Sequence, residues 1–267
     1  MLLLDKLKAV DIIFEIIDAR IPISSKNDDL NILGNKPKII ILNKCDLSNA
    51  EGNKKWIEYY NRKNLKVISV TANKKININS VLALVNTIIN EKNTKASVNR
   101  IKSKSLHAMV VGIPNVGKST FINAICNRKG AKTGKQAGIT KCEQWLNLKG
   151  KIKLLDTPGI LWPKIEDPDV VFFLCATGAI KDDVFDREII ALELVKKISK
   201  IAPEYLTRRY KIINISSKTP LDILDDIANS RGCITKNRGI DYVRVSNLIL
   251  NDYRKGLLGQ ITFEYPV

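Results

Sequence analysis

Two kinds of hydrophobic pattern follow one another along the chain. In the first, short uninterrupted runs of Ile, Val and Leu alternate with stretches whose apolar residues recur at helical spacing. Uninterrupted runs suit strands buried on both faces, and the amphipathic stretches suit helices laid across them. The pattern predicts strands at residues 11–17, 38–42 and 66–70 and helices at 51–63 and 79–90. Residues 91–105 are polar and basic without a clear period, and read as a linker or basic strap. A strand at 107–111, a helix at 118–127 and strands at 143–148 and 151–155 follow, with a Gly- and Lys-rich segment at 130–142 between them. Such alternation defines an α/β fold with a parallel sheet. Beyond about residue 175 the helical period continues alone, at 186–201, 221–230 and 241–257. An α/β domain over 1–175 and a mainly helical domain over 176–267 are therefore expected.

Composition narrows the class. With 45% hydrophobic and 27% charged residues the chain reads as a globular protein. No apolar run approaches the ~20 residues of a membrane span. The opening Met1-Leu-Leu-Leu-Asp5 is too short for a signal-peptide core, so a cytoplasmic protein without a membrane partner is expected. The five cysteines (Cys45, Cys126, Cys142, Cys175, Cys233) form no CxxC pair and read as reduced thiols without a zinc site. Net charge is +17; residues 1–175 hold 29 Lys/Arg against 15 Asp/Glu, and residues 176–267 hold 15 against 12. The excess favours a polyanionic partner, nucleic acid above all, although AT-rich coding biases a chain in the same direction.

The specific chemistry begins at Gly112-Ile-Pro-Asn-Val-Gly-Lys-Ser119. A strand, then GxxxxGKS, then a helix is the arrangement of a phosphate-binding loop. Gly112 and Gly117 let the backbone curl until the amides of Asn115, Val116, Gly117, Ser119 and Thr120 can face phosphate oxygens at a helix N-terminus. Lys118 supplies a point charge to the β- and γ-phosphates, and the Ser119 hydroxyl is placed for Mg²⁺. Asn43-Lys-Cys-Asp46 follows directly on a strand. The Asp46 carboxylate can accept from guanine N1–H and N2–H₂, a donor pair that adenine lacks. Asn43 can shape the loop, and the Lys44 stem can cover the base. Thr71 and Ala72, after the next strand, suit a backbone contact to the guanine oxygen. Asp156-Thr-Pro-Gly159 puts a carboxylate near Mg²⁺ and a Gly159 amide near the γ-phosphate. Thr140, in the Gly/Lys-rich segment, is the candidate switch ligand to Mg²⁺, with Thr133 as competitor. GTP and GDP are thus the expected ligands.

The order of these motifs is inverted, since a guanine-reading sequence ordinarily follows the phosphate loop. Sheet order need not follow chain order. If the usual last helix is joined to the first strand through residues 91–105, new ends open elsewhere and the sites at the strand ends survive. The predicted fold is a circularly permuted P-loop GTPase domain, whose second switch runs directly into the C-terminal helical domain.

These residues resemble the circularly permuted GTPases of ribosome biogenesis, particularly the ribosome biogenesis GTPase A family. The likeness rests on Asp18-Ala-Arg-Ile-Pro22, Asn43–Asp46, Gly112–Thr120, Gly138-Ile-Thr140, Asp156-Thr-Pro-Gly-Ile-Leu-Trp-Pro163 and Thr177-Gly-Ala-Ile180, and continues to Arg231-Gly-Cys233. It implies a GTP-driven switch that binds the maturing large ribosomal subunit and rRNA, with rRNA contact in the helical domain. A monomer with no DNA partner is expected. Two other readings stay open: a non-ribosomal regulatory GTPase, and an RNA-binding assembly factor with little turnover.

The resemblance also raises two points about hydrolysis. Ile160 stands where many GTPases place a water-orienting glutamine, and family members use a His in a Trp-Phe-Pro-Gly-His segment that is not found before Val10. Slow intrinsic hydrolysis and a true start upstream are therefore expected. The sole histidine, His107, reads as structural. Similar GTPases with Asn at the Asn115 position use K⁺ beside the β- and γ-phosphates; a loop-shaping Asn is the other reading. Asp18, Arg20 and Pro22 have either a functional role or one in fixing a strand end, and Trp145 and Trp162 read as packing residues beside the switches.

Overall fold

The computed structural model describes residues 10–26, 36–98, 106–127, 144–148, 152–156 and 165–267, and for 91–98, 144–148 and 156 it describes the backbone alone. Strands β1 (Ile12–Asp18) and β2 (Lys38–Asn43) lead through α1 (Ala50–Arg62) to β3 (Lys66–Ser69). Helix α2 (Ile78–Val98) connects to β4 (Leu106–Val111), α3 (Lys118–Cys126), β5 (Gln144–Leu148) and β6 (Ile152–Asp156). They form one sheet in the order β3-β2-β1-β4-β6-β5. All pairs are parallel except the β5–β6 ladder.

Every residue of β1 is buried, which is why it reads as an unbroken apolar run. On one face the Phe14 ring lies 5.7 Å from that of Phe121 in α3. On the other, Ile17, Ile40 and Leu42 pack against Trp56 and Tyr60 of α1. Each such side chain contributes roughly 1.5–3 kcal/mol on burial. Glu15 and the terminal Asp18 are the polar exceptions in this strand, and Glu15 is paired with Lys38 at 3.0 Å.

The chain lays β1, β2 and β3 outward to one edge, then crosses back through α2 and starts β4 on the other side of β1. The crevice at the carboxyl ends of β1 and β4 is thus a topological switch point, where open α/β sheets bind ligands. One boundary differs from the sequence expectation. Helix α2 runs to Val98, so the segment expected to be an irregular linker from residue 91 begins as helix. Residues 78–98 contain neither Gly nor Pro, and nothing in their chemistry stops a helix once begun.

The described residues form two compact units, those before 165 together with 262–267, and those from 165 to 261. The second unit is helical: α4 (Pro168–Thr177), α5 (Arg187–Ile201), α6 (Pro203–Tyr210), α7 (Pro220–Arg231) and α8 (Tyr242–Lys255). It begins earlier than the residue-176 boundary expected from periodicity, because α4 belongs to it, and the last six residues return to the first unit. Its helices are closed by sequence-local devices. Asp167 and Asp186 cap α4 and α5, and a Thr219/Asp222 capping box starts α7. The Arg254 guanidinium closes α4 from the other end, donating to the carbonyls of Cys175 (2.8 Å) and Ala176 (3.0 Å) while pairing with Asp182. Among the described residues no helix is long and apolar enough to cross a membrane.

Candidate nucleotide site

The phosphate loop leaves β4 in a conformation that its glycines make possible. Gly112 has φ 150°, and a Cβ there would stand 2.5 Å from the Ile16 carbonyl oxygen. Gly117, at φ 97°, caps α3, and its Cβ would lie 2.4 Å from Asn43 Nδ2. Asn115 between them sits in the left-handed region at φ 58°, which Asn tolerates better than most residues. The loop therefore wraps tightly before α3, presenting the helix N-terminus to the crevice. Lys118 is buried and folds back over the loop, its Nζ donating to Gly112 O at 3.0 Å and Ile113 O at 2.9 Å. Val116 is buried, and Ser119 and Thr120 occupy the first turn of α3, half-buried.

Although distant in sequence, the guanine-reading motif meets this loop directly. Asn43 Nδ2 donates to Val116 O at 2.8 Å, while its Oδ1 accepts from the Ala72 amide at 3.2 Å. A single buried side chain thus joins three of the expected segments: 43–46, 71–72 and 112–120. Lys44, with φ 61°, reaches Asn115 O at 2.7 Å and Asp18 Oδ2 at 2.9 Å. Asp46 retains 15% side-chain exposure and pairs with Lys74 at 2.9 Å. Thr71 and Ala72 are buried, beside a turn in which Thr71 and Ile76 exchange backbone hydrogen bonds.

Asp18 anchors the back of the site. Arg20 Nε and Nη2 grip its two oxygens at 3.0 and 2.7 Å, a bidentate pair buried to 1–2% side-chain exposure. Burial opposes the charge, but Arg20 and Lys44 outweigh it and hold the carboxyl well below the usual carboxylate range. Cys45 is pushed up to about 12 by burial, so it stays a thiol, donating to Leu42 O at 3.1 Å. His107 lies at the far end of β4 from the loop, with its amide held by Asp11 at 2.8 Å, in keeping with a structural residue.

Asp156 ends β6, opposite Val110 in the register with β4, so its backbone adjoins the loop-bearing strand. Thr140, Thr133, Gly159, Ile160 and Trp162 lie outside the described residues, and for Trp145 only the strand is described. Two contributors have no sequence signature. Lys74 partners Asp46 across a turn, and the C-terminal Glu264 reaches the Asp18 turn from some 240 positions away. Only Asp18 itself could be singled out from sequence.

A parallel sheet with a glycine loop at its switch point, joined by an NKxD asparagine, defines a P-loop GTPase whose motifs occur in permuted order. A family model described as 50S ribosome-binding GTPase matches residues 107–216. Ribosome biogenesis GTPase A of Bacillus cereus is 38% identical over 263 residues, 98% of this chain and 88% of the relative. Two solved structures are similar at 26% identity. The GDP-bound structure of TM YlqF has a TM-score of 0.69, covering 100% of this chain and 99% of that one. The GNP-bound YlqF from T. maritima gives 0.65, covering 98% and 95%. The chain belongs to the ribosome biogenesis GTPase A family, and it is a GTPase of ribosome assembly.

Proposed function

We propose that this chain is a GTP-driven switch that binds the large ribosomal subunit, through rRNA, during late assembly and leaves on hydrolysis. The observation that carries the reading is the Asn43–Val116 bond at 2.8 Å, which brings guanine-reading and phosphate-binding segments into one crevice despite their inverted order. Asp46 reads the base by accepting from guanine N1–H and N2–H₂. Lys44 and Asn43 fix the loop, and Thr71 and Ala72 line the base side. Lys118 exchanges its loop carbonyls for the β- and γ-phosphate oxygens, where its charge grows in value as negative charge develops.

The residues also suit Mg²⁺, because Ser119 offers a hydroxyl in the first turn of α3 and Asp156 a carboxylate on the adjoining strand. Thr140 would complete that set, and a bound ion would supply positive charge to offset that of the phosphates. Asn115 would hold K⁺ beside the same phosphates. The Gly159 amide would report the γ-phosphate. Ile160 cannot orient water, so hydrolysis is intrinsically slow and depends on the partner for its rate. The +17 charge supports an rRNA partner.

The test is GTP turnover with and without purified large subunits, in K⁺ and in Na⁺. Strong stimulation by subunits supports the assembly switch, and a further gain in K⁺ assigns the ion to Asn115. Tight GTP binding with no response to subunits would overturn the ribosomal part of the reading.

A further inference from the structure

The last residues of the chain, Thr262–Val267, belong to the nucleotide-binding unit. The Phe263 amide donates to Arg20 O at 2.9 Å. The buried Glu264 carboxylate accepts from the amides of Ile23 (2.6 Å) and Ser24 (3.0 Å), and from the Ser24 hydroxyl. Its backbone carbonyl accepts from Trp56 Nε1 at 2.8 Å, and Thr262 Oγ1 accepts from the Asn49 amide at 3.0 Å. The segment therefore crosses from the start of α1 to the turn after β1 and ties the two together.

That turn in its own right holds the guanine side of the site. The Ala19 amide donates to Asn43 O at 2.8 Å, and Asp18 pairs with Lys44, which in turn reaches Asn115 O of the phosphate loop. From strap to turn to guanine motif to phosphate loop, each step is a direct hydrogen bond. Gly52 gives an independent sign of how closely the strap is seated. Glycine is disfavoured inside helices, yet α1 carries one where a Cβ would lie 2.9 Å from Thr262 Oγ1 and 3.1 Å from its Cβ. The sequence gives up helix propensity at the point where the strap needs room.

We propose that Glu264 is a positioning residue for nucleotide retention: by gripping Ile23 and Ser24 it fixes the turn that runs back to Asp18 through the Asp18 amide–Ser25 Oγ bond, keeps Lys44 on Asn115 O and slows release of guanine nucleotide. This rests on the reading of the site as a guanine-nucleotide site. The experiment uses the full chain loaded with fluorescently labelled GDP and chased with unlabelled GDP. Glu264→Ala is expected to speed dissociation by about tenfold, the worth of a charge-assisted contact, and Gly52→Ala to speed it at least about threefold by pushing Thr262 off its seat. Gly52→Ala is the more diagnostic, since its gain in helix propensity alone would stabilise the fold, and it serves where Glu264→Ala fails to fold. The double variant Asp18→Asn/Glu264→Ala should release GDP no faster than Asp18→Asn alone, because both act on one connection. Folded variants whose dissociation rates stay within about twofold of the parent, or effects that add in full in the double variant, would overturn the proposal. A parent chain that fails to bind labelled GDP would instead overturn the nucleotide reading beneath it, a result distinct from unchanged rates.

Discussion

As the proposed guanine reader, Asp46 would carry the base specificity on one side chain, and its ion pair with Lys74 is a weak competitor. Its partner Lys74 has 59% side-chain exposure, and such a pair is worth at most about 1 kcal/mol. A base that supplies two donors therefore displaces it readily. Asp46→Asn replaces one acceptor oxygen by an NH₂, which opposes guanine N2–H₂ but can donate to the C2 oxygen of xanthine. The variant is expected to lose on the order of a hundredfold or more in GTP affinity while gaining affinity for xanthosine triphosphate. Competition against a fluorescent nucleotide would measure both; equal loss for the two bases would mean damage to the loop. The motif around Asp46 was legible because its four residues are contiguous and follow a strand. Lys74 was not, because its pairing depends on how a turn folds back. Asp18 was visible but ambiguous, since Arg20 is its near neighbour in sequence whereas Lys44 comes from the end of the adjacent strand β2.

At the scale of elements, the strap and the turn it grips respond to pH in opposite ways. Burial raises the Glu264 carboxyl above its ordinary range, outweighing the donors from Ser24 and Ile23, with the charge of Asp18 adding to the rise. Its folded value thus exceeds its unfolded one. The folded chain binds the proton more tightly, so the stabilisation is full below the unfolded value of about 4.3 and is lost as pH rises through the folded value. Asp18 is depressed, so its contribution is present above the unfolded value and is lost only under stronger acid. In the pH window that opens above the unfolded glutamate value of about 4.3, the Asp18 pairs should therefore stay constant while the strap weakens. The melting-temperature advantage of the parent over Glu264→Gln should shrink across that window; a constant difference would mean that the carboxyl is not perturbed. The central strands were legible as unbroken apolar runs. Helix α4 was not, because Val170-Val-Phe-Phe-Leu-Cys175 has no polar stripe to reveal a helical period. The strap is too short for any period, and its partners are at the other end of the chain.

For the whole molecule, charge follows the two units closely. Residues 1–164 with 262–267 hold 29 Lys/Arg against 13 Asp/Glu, a net +16, whereas 165–261 hold 15 against 14, a net +1. In the helical unit Lys196 and Lys197 are engaged with Glu193 and Asp169, whereas Lys54 and Lys66 of the nucleotide unit are exposed. If the partner is rRNA in the large subunit, the nucleotide unit supplies much of the long-range attraction, and the near-neutral unit depends more on local fit. Affinity for large subunits should then fall on the order of a thousandfold between about 50 and 200 mM salt at fixed Mg²⁺. Neutralising Lys54 and Lys66 together is expected to reduce the slope of log affinity against log salt by about one for each lysine that contacts phosphate. Neutralising Lys196 and Lys197 should leave the slope unchanged, since their charge is already offset within the unit. Sedimentation of the GTP-analogue complex with subunits over a salt series would read all three slopes. A parent slope near zero would remove rRNA phosphate as the partner; a drop confined to the Lys196/Lys197 variant would move the contact to the helical unit.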